Sequence, residues 1–97
     1  MDRADFIFTI GYQGNTAIVD TTAKKRYGGL STARLAEKGL YKAAFCSALF
    51  SGNREEMEAV LLAYNAVSVR KYETLEELKR AYGVYSVPED GVKTKGL

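Results

Sequence analysis

Phe6-Ile7-Phe8-Thr9-Ile10-Gly11-Tyr12-Gln13-Gly14-Asn15-Thr16-Ala17-Ile18-Val19 is the stretch that decides the fold. Phe6–Ile10 and Ala17–Val19 are rich in β-branched and aromatic residues, with a Gly14-Asn15 pair between them. That pattern predicts a β-hairpin. With Gly14-Asn15 as a two-residue loop, Tyr12 faces Ala17 and Ile10 faces Val19. Phe6, Phe8, Ile10, Tyr12, Ala17 and Val19 then share the core face, while Ile7, Thr9, Gly11, Ile18 and Asp20 take the other. A three-residue loop would oppose Phe8 to Asp20 and spoil that division.

A hairpin alone is marginal, so its Phe-rich face needs helices over it. The chain downstream supplies them. Asp20-Thr21-Thr22-Ala23 reads as a turn, Lys24-Lys25-Arg26 as a short edge strand that lysines keep unpaired, and Tyr27-Gly28-Gly29 as a change of direction. Ser31 is an N-cap for a short helix up to Lys38, stopped by Gly39. A second helix, Leu40 to Phe50, is apolar almost all round apart from Lys42 and Ser47, the signature of a buried central helix. Asn53 and Glu56 open a third helix through Ala66, with Met57, Val60, Leu61 and Tyr64 on one face. Thr74 and Glu77 form a capping box for a last helix, with Leu75, Leu78 and Tyr82 inward and Gly83 at its end.

Between and after the helices, Val67 to Arg70 alternates like a third strand and Val84 to Val87 like a short one. Pro88 to Gly91 is a turn, and residues 92–97 read as a mobile tail. The expectation is one α+β domain over residues 1–97, a small antiparallel sheet packed against three to four helices.

Composition narrows the function. The 97 residues, 46% hydrophobic and 27% charged, suit one globular domain. The lone Cys46 excludes an internal disulfide, and no apolar stretch follows a basic start, so no signal peptide is expected. The longest apolar run, Ala43 to Phe50, is too short for a membrane helix. A cytoplasmic location follows as the expectation. Net charge is only +2, yet residues 21–42 hold Lys24, Lys25, Arg26, Arg34, Lys38 and Lys42 against the single acid Glu37. Such asymmetry suits an anionic partner.

Catalytic chemistry finds little support. No histidine is present, which removes the commonest general base and metal ligand, so neither a metal nor a cofactor is expected. Cys46, between Phe45 and Ser47 in the apolar helix, reads as a small core residue rather than a nucleophile. Glu55, Glu56, Glu58, Glu73, Glu76 and Glu77 fall in first turns of predicted helices, where carboxylates suit the helix dipole. Gly11-Tyr12-Gln13-Gly14 leads into a strand, not a helix, so it is turn chemistry rather than a phosphate loop.

The segment from Leu30 to Gly52 pairs two short helices across Gly39 within the basic region. It resembles the helix-turn-helix of phage-repressor type, with Leu35-Ala36 in the first helix and Ala48-Leu49-Phe50 closing the second. It departs from that pattern in the turn, where Gly39 lies three residues after Ala36 rather than four. With Leu40 at the turn, the exposed face of the second helix would be Lys42, Ala43, Ala44, Ser47 and Ala48, poor in base-reading groups. Two helices packed in a core give the same periodicity.

The leading expectation is therefore a non-enzymatic protein-binding or self-associating assembly module, tyrosines being favoured at interfaces. The alternative is nucleic-acid binding through Lys24, Lys25, Arg26, Tyr27, Arg34, Lys38 and Lys42, the basic groups on phosphates and Tyr27 and Tyr41 on unpaired bases. An enzyme using exposed carboxylates or tyrosine hydroxyls is the third reading.

Overall fold

The Asp2 side chain accepts a hydrogen bond from the Asp5 amide at 2.9 Å, and that cap starts a helix where the apolar run predicts a strand. In the computed structural model, which describes residues 1–89 and 91–97, the chain begins with α1 (Arg3–Ile7) and enters β1 (Thr9–Gln13) only after Phe8. A short apolar run has no period of its own, so Phe6-Ile7-Phe8 serves a buried helical turn as readily as a strand. Ile7, expected on the face opposite Phe6 and Phe8, is buried with both of them.

β1 and β2 (Thr16–Val19) form the expected antiparallel hairpin on Gly14-Asn15. Gly14 takes φ +57° and Asn15 stays at negative φ, the arrangement of a type II′ turn that needs glycine first. Tyr12 pairs with Ala17 as the register requires, but Val19 pairs with Thr9 rather than Ile10. An irregularity between Thr9 and Gly11 pushes Ile10 out of the ladder, leaving it 56% exposed. Tyr12 is also half exposed, so the core face of the hairpin is Ala17 and Val19.

Asp20 corrects a second expectation. Its carboxylate accepts from the Ala23 amide and caps α2 (Thr21–Tyr27), so the expected turn and basic edge strand are one helix. Asp-Thr-Thr is as good an N-cap as a turn, and here the cap is used. α3 (Thr32–Glu37), α4 (Tyr41–Ser51), α5 (Arg54–Val67) and α6 (Leu75–Tyr82) follow, and the side chains of Ser31, Asn53 and Thr74 cap α3, α5 and α6 as expected. Gly39, at φ +78°, makes the tight joint between α3 and α4.

Neither expected strand after α5 forms. Asn65 holds Tyr72 through both its amide groups, folding residues 68–72 back as a loop. Val84 returns its amide to the Lys79 carbonyl, closing the end of α6 instead of starting a strand. The expected turn over 88–91 includes Asp90, which lies outside the described residues.

The third strand comes from the expected tail. β3 (Lys93–Gly96) pairs parallel with β2, giving the order β1-β2-β3 and a mixed sheet where an antiparallel one was expected. Asn15 anchors it at one end by accepting from Lys93 and donating to the Gly91 carbonyl. All four β3 residues are exposed, so no apolar signal marks them in the sequence.

The α+β class stands, with six helices among the described residues. α4 is the centre of the core, as its unpatterned apolar surface implies. Phe45, Leu35, Leu78, Val19 and Val60 are its largest fully buried side chains and come from five different elements. No helix among the described residues is long and apolar enough to cross a membrane.

Candidate functional site

The basic segment spreads over three helices. Lys24, Lys25 and Arg26 occupy the last turn of α2, Arg34 lies on α3, Lys38 ends it, and Lys42 sits in the first turn of α4. Two of these charges are engaged. Lys24 Nζ lies 2.6 Å from Asp5 Oδ1, and that hydrogen bond raises the pKa of the ammonium. Arg34 pairs with Glu37 at 3.5 Å. Lys25, Arg26, Lys38 and Lys42 are exposed and make no ion pair among the described residues. Tyr27 packs its ring 6.5 Å from Phe8 with the Arg26 guanidinium over it, so it is partly spent on the core.

The helix pair across Gly39 is present, but its second helix offers no reading face. Ala43, Ala44, Ser47 and Ala48 of α4 are buried, leaving Lys42 alone exposed of the residues expected there. α1 covers that side. Arg3 donates to Ser47 Oγ at 2.8 Å and to the carbonyls of Gly28 and Leu30. Ser47 and Thr32 hydroxyls lie 2.7 Å apart, and Thr32 donates to Glu56 at 3.1 Å. This relay satisfies the one polar group in the middle of α4 and ties α1, α3, α4 and α5 together. Ser47 hinted at such a partner in the sequence, but nothing marked Arg3.

Cys46 forms part of the floor of a cleft of about 360 Å³ between β1, α4 and residues 82–88, with Lys42, Tyr12 and Tyr82 around it. Burial pushes the thiol up to about 11, and Lys42 only partly opposes that. Tyr82 lies against Phe45 and Tyr64, and its buried hydroxyl makes no hydrogen bond among the described residues. Burial, reinforced by the surrounding tyrosines and Cys46, raises its pKa. Among the described residues no carboxylate lines the cleft. A thiol held protonated by burial is a weak nucleophile.

The outer side of α5 is different in kind. Met57, Val60, Leu61 and Tyr64 pack toward the core, yet Ala59, Leu62, Ala63, Ala66 and Val67 continue round the helix as a second apolar surface. Leu62 is 71% and Val67 67% exposed, and Val69 just beyond is fully exposed. The surface drops into a groove against Ala33 and Ala36 of α3. Charge borders it on the α6 side, where Glu58, paired with Arg54 at 3.5 Å, lies with Glu73 and Glu76 beside Leu61 and Leu62. Beyond the helix the Arg70 guanidinium lies 5.5 Å from the Tyr72 ring, beside Glu77 and Arg80 of α6, and Lys71 donates to the Asn65 and Ser68 carbonyls. The inward stripe of α5 is legible in the sequence and the outward one is not. Its alanines are too small to announce a face, and only Leu62 and Val67 gave a signal.

No family model matches the chain, nor does any curated protein or solved structure.

Proposed function

We propose that this chain is a non-enzymatic protein-binding or assembly module whose contact surface is the outer face of α5. The exposed apolar stripe through Leu62 carries this reading. A contiguous apolar surface rimmed by charge marks an interaction site, and interface centres are poor in charged side chains. The cleft over Cys46 supports the non-enzymatic part, since its thiol is held protonated and no carboxylate faces it among the described residues. A buried, unpartnered thiol also suits a reducing compartment such as the cytoplasm.

The test is a photoreactive residue placed at Leu62 in cells producing the protein, with Arg80 on the exposed side of α6 as the control position. A discrete protein adduct at Leu62 and none at Arg80 is expected. Equal labelling at both, or none at either, contradicts the reading.

The second reading is nucleic-acid binding. It draws on the exposed, ion-pair-free groups Lys25, Arg26, Lys38 and Lys42. The buried face of α4 makes any such binding a matter of phosphate contacts without base readout. Anisotropy titration of single- and double-stranded oligonucleotides at low salt tests it. Binding would be weak and steeply salt-dependent, and its absence at tens of micromolar protein would remove this reading.

A further inference from the structure

We propose that the cleft between β1, α4 and residues 82–88 is a binding site for a small aromatic carboxylate, its ring system on the cleft walls and its charge on Lys42. The site is separate from the α5 surface, and neither reading depends on the other.

The walls set the body of the ligand. At about 360 Å³ the cleft has the size of a small-molecule site. Phe6, Ile10, Tyr12, Val84, Tyr85 and Pro88 line it. Ile10, Tyr12 and Tyr85 are large side chains left 56%, 50% and 62% exposed. A ligand seated among them takes that surface out of water, the main favourable term in such binding. The irregularity in β1 contributes, because it removes Ile10 from the ladder and leaves it on the cleft wall. Bulges re-aim side chains in this way beside functional sites. Phe6, Tyr12 and Tyr85 present rings, which favour a flat aromatic body through stacked or edge contacts.

Lys42 sets the charge. Among the described residues it is the one charged side chain on the cleft, and it is exposed and makes no ion pair. Its charge acts on the Cys46 thiol in the floor, and the Tyr12 hydroxyl lies within electrostatic reach of the same thiol. An ammonium and a phenol therefore gather over a floor where no carboxylate of the described residues receives them. A carboxylate is an acceptor-only group and can take hydrogen bonds from both. One positive charge matches a monoanion, whereas a phosphate dianion would leave a charge uncompensated against apolar walls. The ligand is held without reaction, since the thiol beneath it stays protonated.

The probe is 2-naphthoate, with 2-naphthamide as its uncharged counterpart of nearly the same shape. Each is titrated into the isotope-labelled full chain and followed by amide NMR. With about a dozen non-hydrogen atoms, 2-naphthoate should bind with a dissociation constant on the order of 100 µM. Its shifts should fall on residues 9–12 and 83–86 and spare residues 62–66 of α5. The amide should bind about 10-fold more weakly, having lost the charge-assisted hydrogen bond. Lys42→Met should erase that preference with melting unchanged, because Lys42 is exposed. Tyr85→Ala should weaken acid and amide alike by about 3-fold and keep the preference, since it removes only wall area. No shifts up to about 5 mM probe, or shifts confined to α5, overturn the site. Equal affinity for acid and amide, or a preference that survives Lys42→Met, overturns the anionic ligand.

Discussion

Ile7 and Ile10 exchange roles between the hairpin pattern and the folded chain, and alanine substitution at each measures which is in the core. Ile7 is 3% exposed in α1, packed with Phe6 and Phe8, while Ile10 bulges from β1 and is more than half exposed. Removing a buried isoleucine side chain down to Ala loses its transfer free energy and leaves a cavity, about 3 kcal/mol for Ile7→Ala. Ile10→Ala gives up less than about 1 kcal/mol, because water already reaches most of that side chain. Urea unfolding followed by circular dichroism should lower the midpoint strongly for Ile7→Ala, with an unchanged slope. In a domain of this size the melting temperature should fall by roughly 15 °C for Ile7→Ala and by less than about 6 °C for Ile10→Ala. Equal losses, or a larger loss at Ile10, would refute the bulge and restore the continuous strand.

The Cys46 thiol should react slowly with thiol reagents at pH 8 in the folded state and fast on unfolding; rapid native labelling would place it at the surface. Its folded pKa, about 11 against an ordinary 9.0, is raised. Stability should therefore be flat below pH 9 and fall between pH 9 and 11, by on the order of 2–3 kcal/mol. Tyr82 shifts in the same direction, so pH-dependent unfolding of Cys46→Ala and Tyr82→Phe should show each removing part of that alkaline loss. Gly14→Val should destabilise by about 1–2 kcal/mol, since valine resists the φ of +57° at the turn; thermal melting indistinguishable from the parent would exclude the II′ geometry. The amides of Lys93 and Leu97, which donate to Asn15 and Val19, should be protected in hydrogen exchange, and free-chain rates there would dissolve β3.

What the sequence made legible, and what it hid, follows from the kind of signal involved. Caps are local chemistry, so Ser31, Asn53 and Thr74 announced their helices, and each side chain accepts from the expected amide. The central place of α4 was equally readable from its lack of a polar face. α1 was hidden because Phe6-Ile7-Phe8 is too short to carry a period, and one extra residue in β1 then moved Ile10 off the face that alternation assigns it. β3 was hidden because Lys93-Thr94-Lys95 has no apolar pattern and becomes a strand only by pairing with β2, 77 residues away in the chain. The proposed contact face lay in plain view as Ala59, Leu62, Ala63 and Ala66, but which side of α5 is covered depends on where α3, α4 and α6 pack. The Arg3–Ser47–Thr32–Glu56 relay is likewise a tertiary fact that no local spacing encodes.

The contact surface proposed on the outer face of α5 is tested by its own pattern of labelling. Photoreactive residues placed in turn at Leu62, Ala66 and Arg80 in cells producing the protein should give the same discrete protein adduct at Leu62 and Ala66, both exposed on α5, and none at Arg80 on α6. Labelling no stronger at Leu62 and Ala66 than at Arg80 would contradict the α5 contact surface.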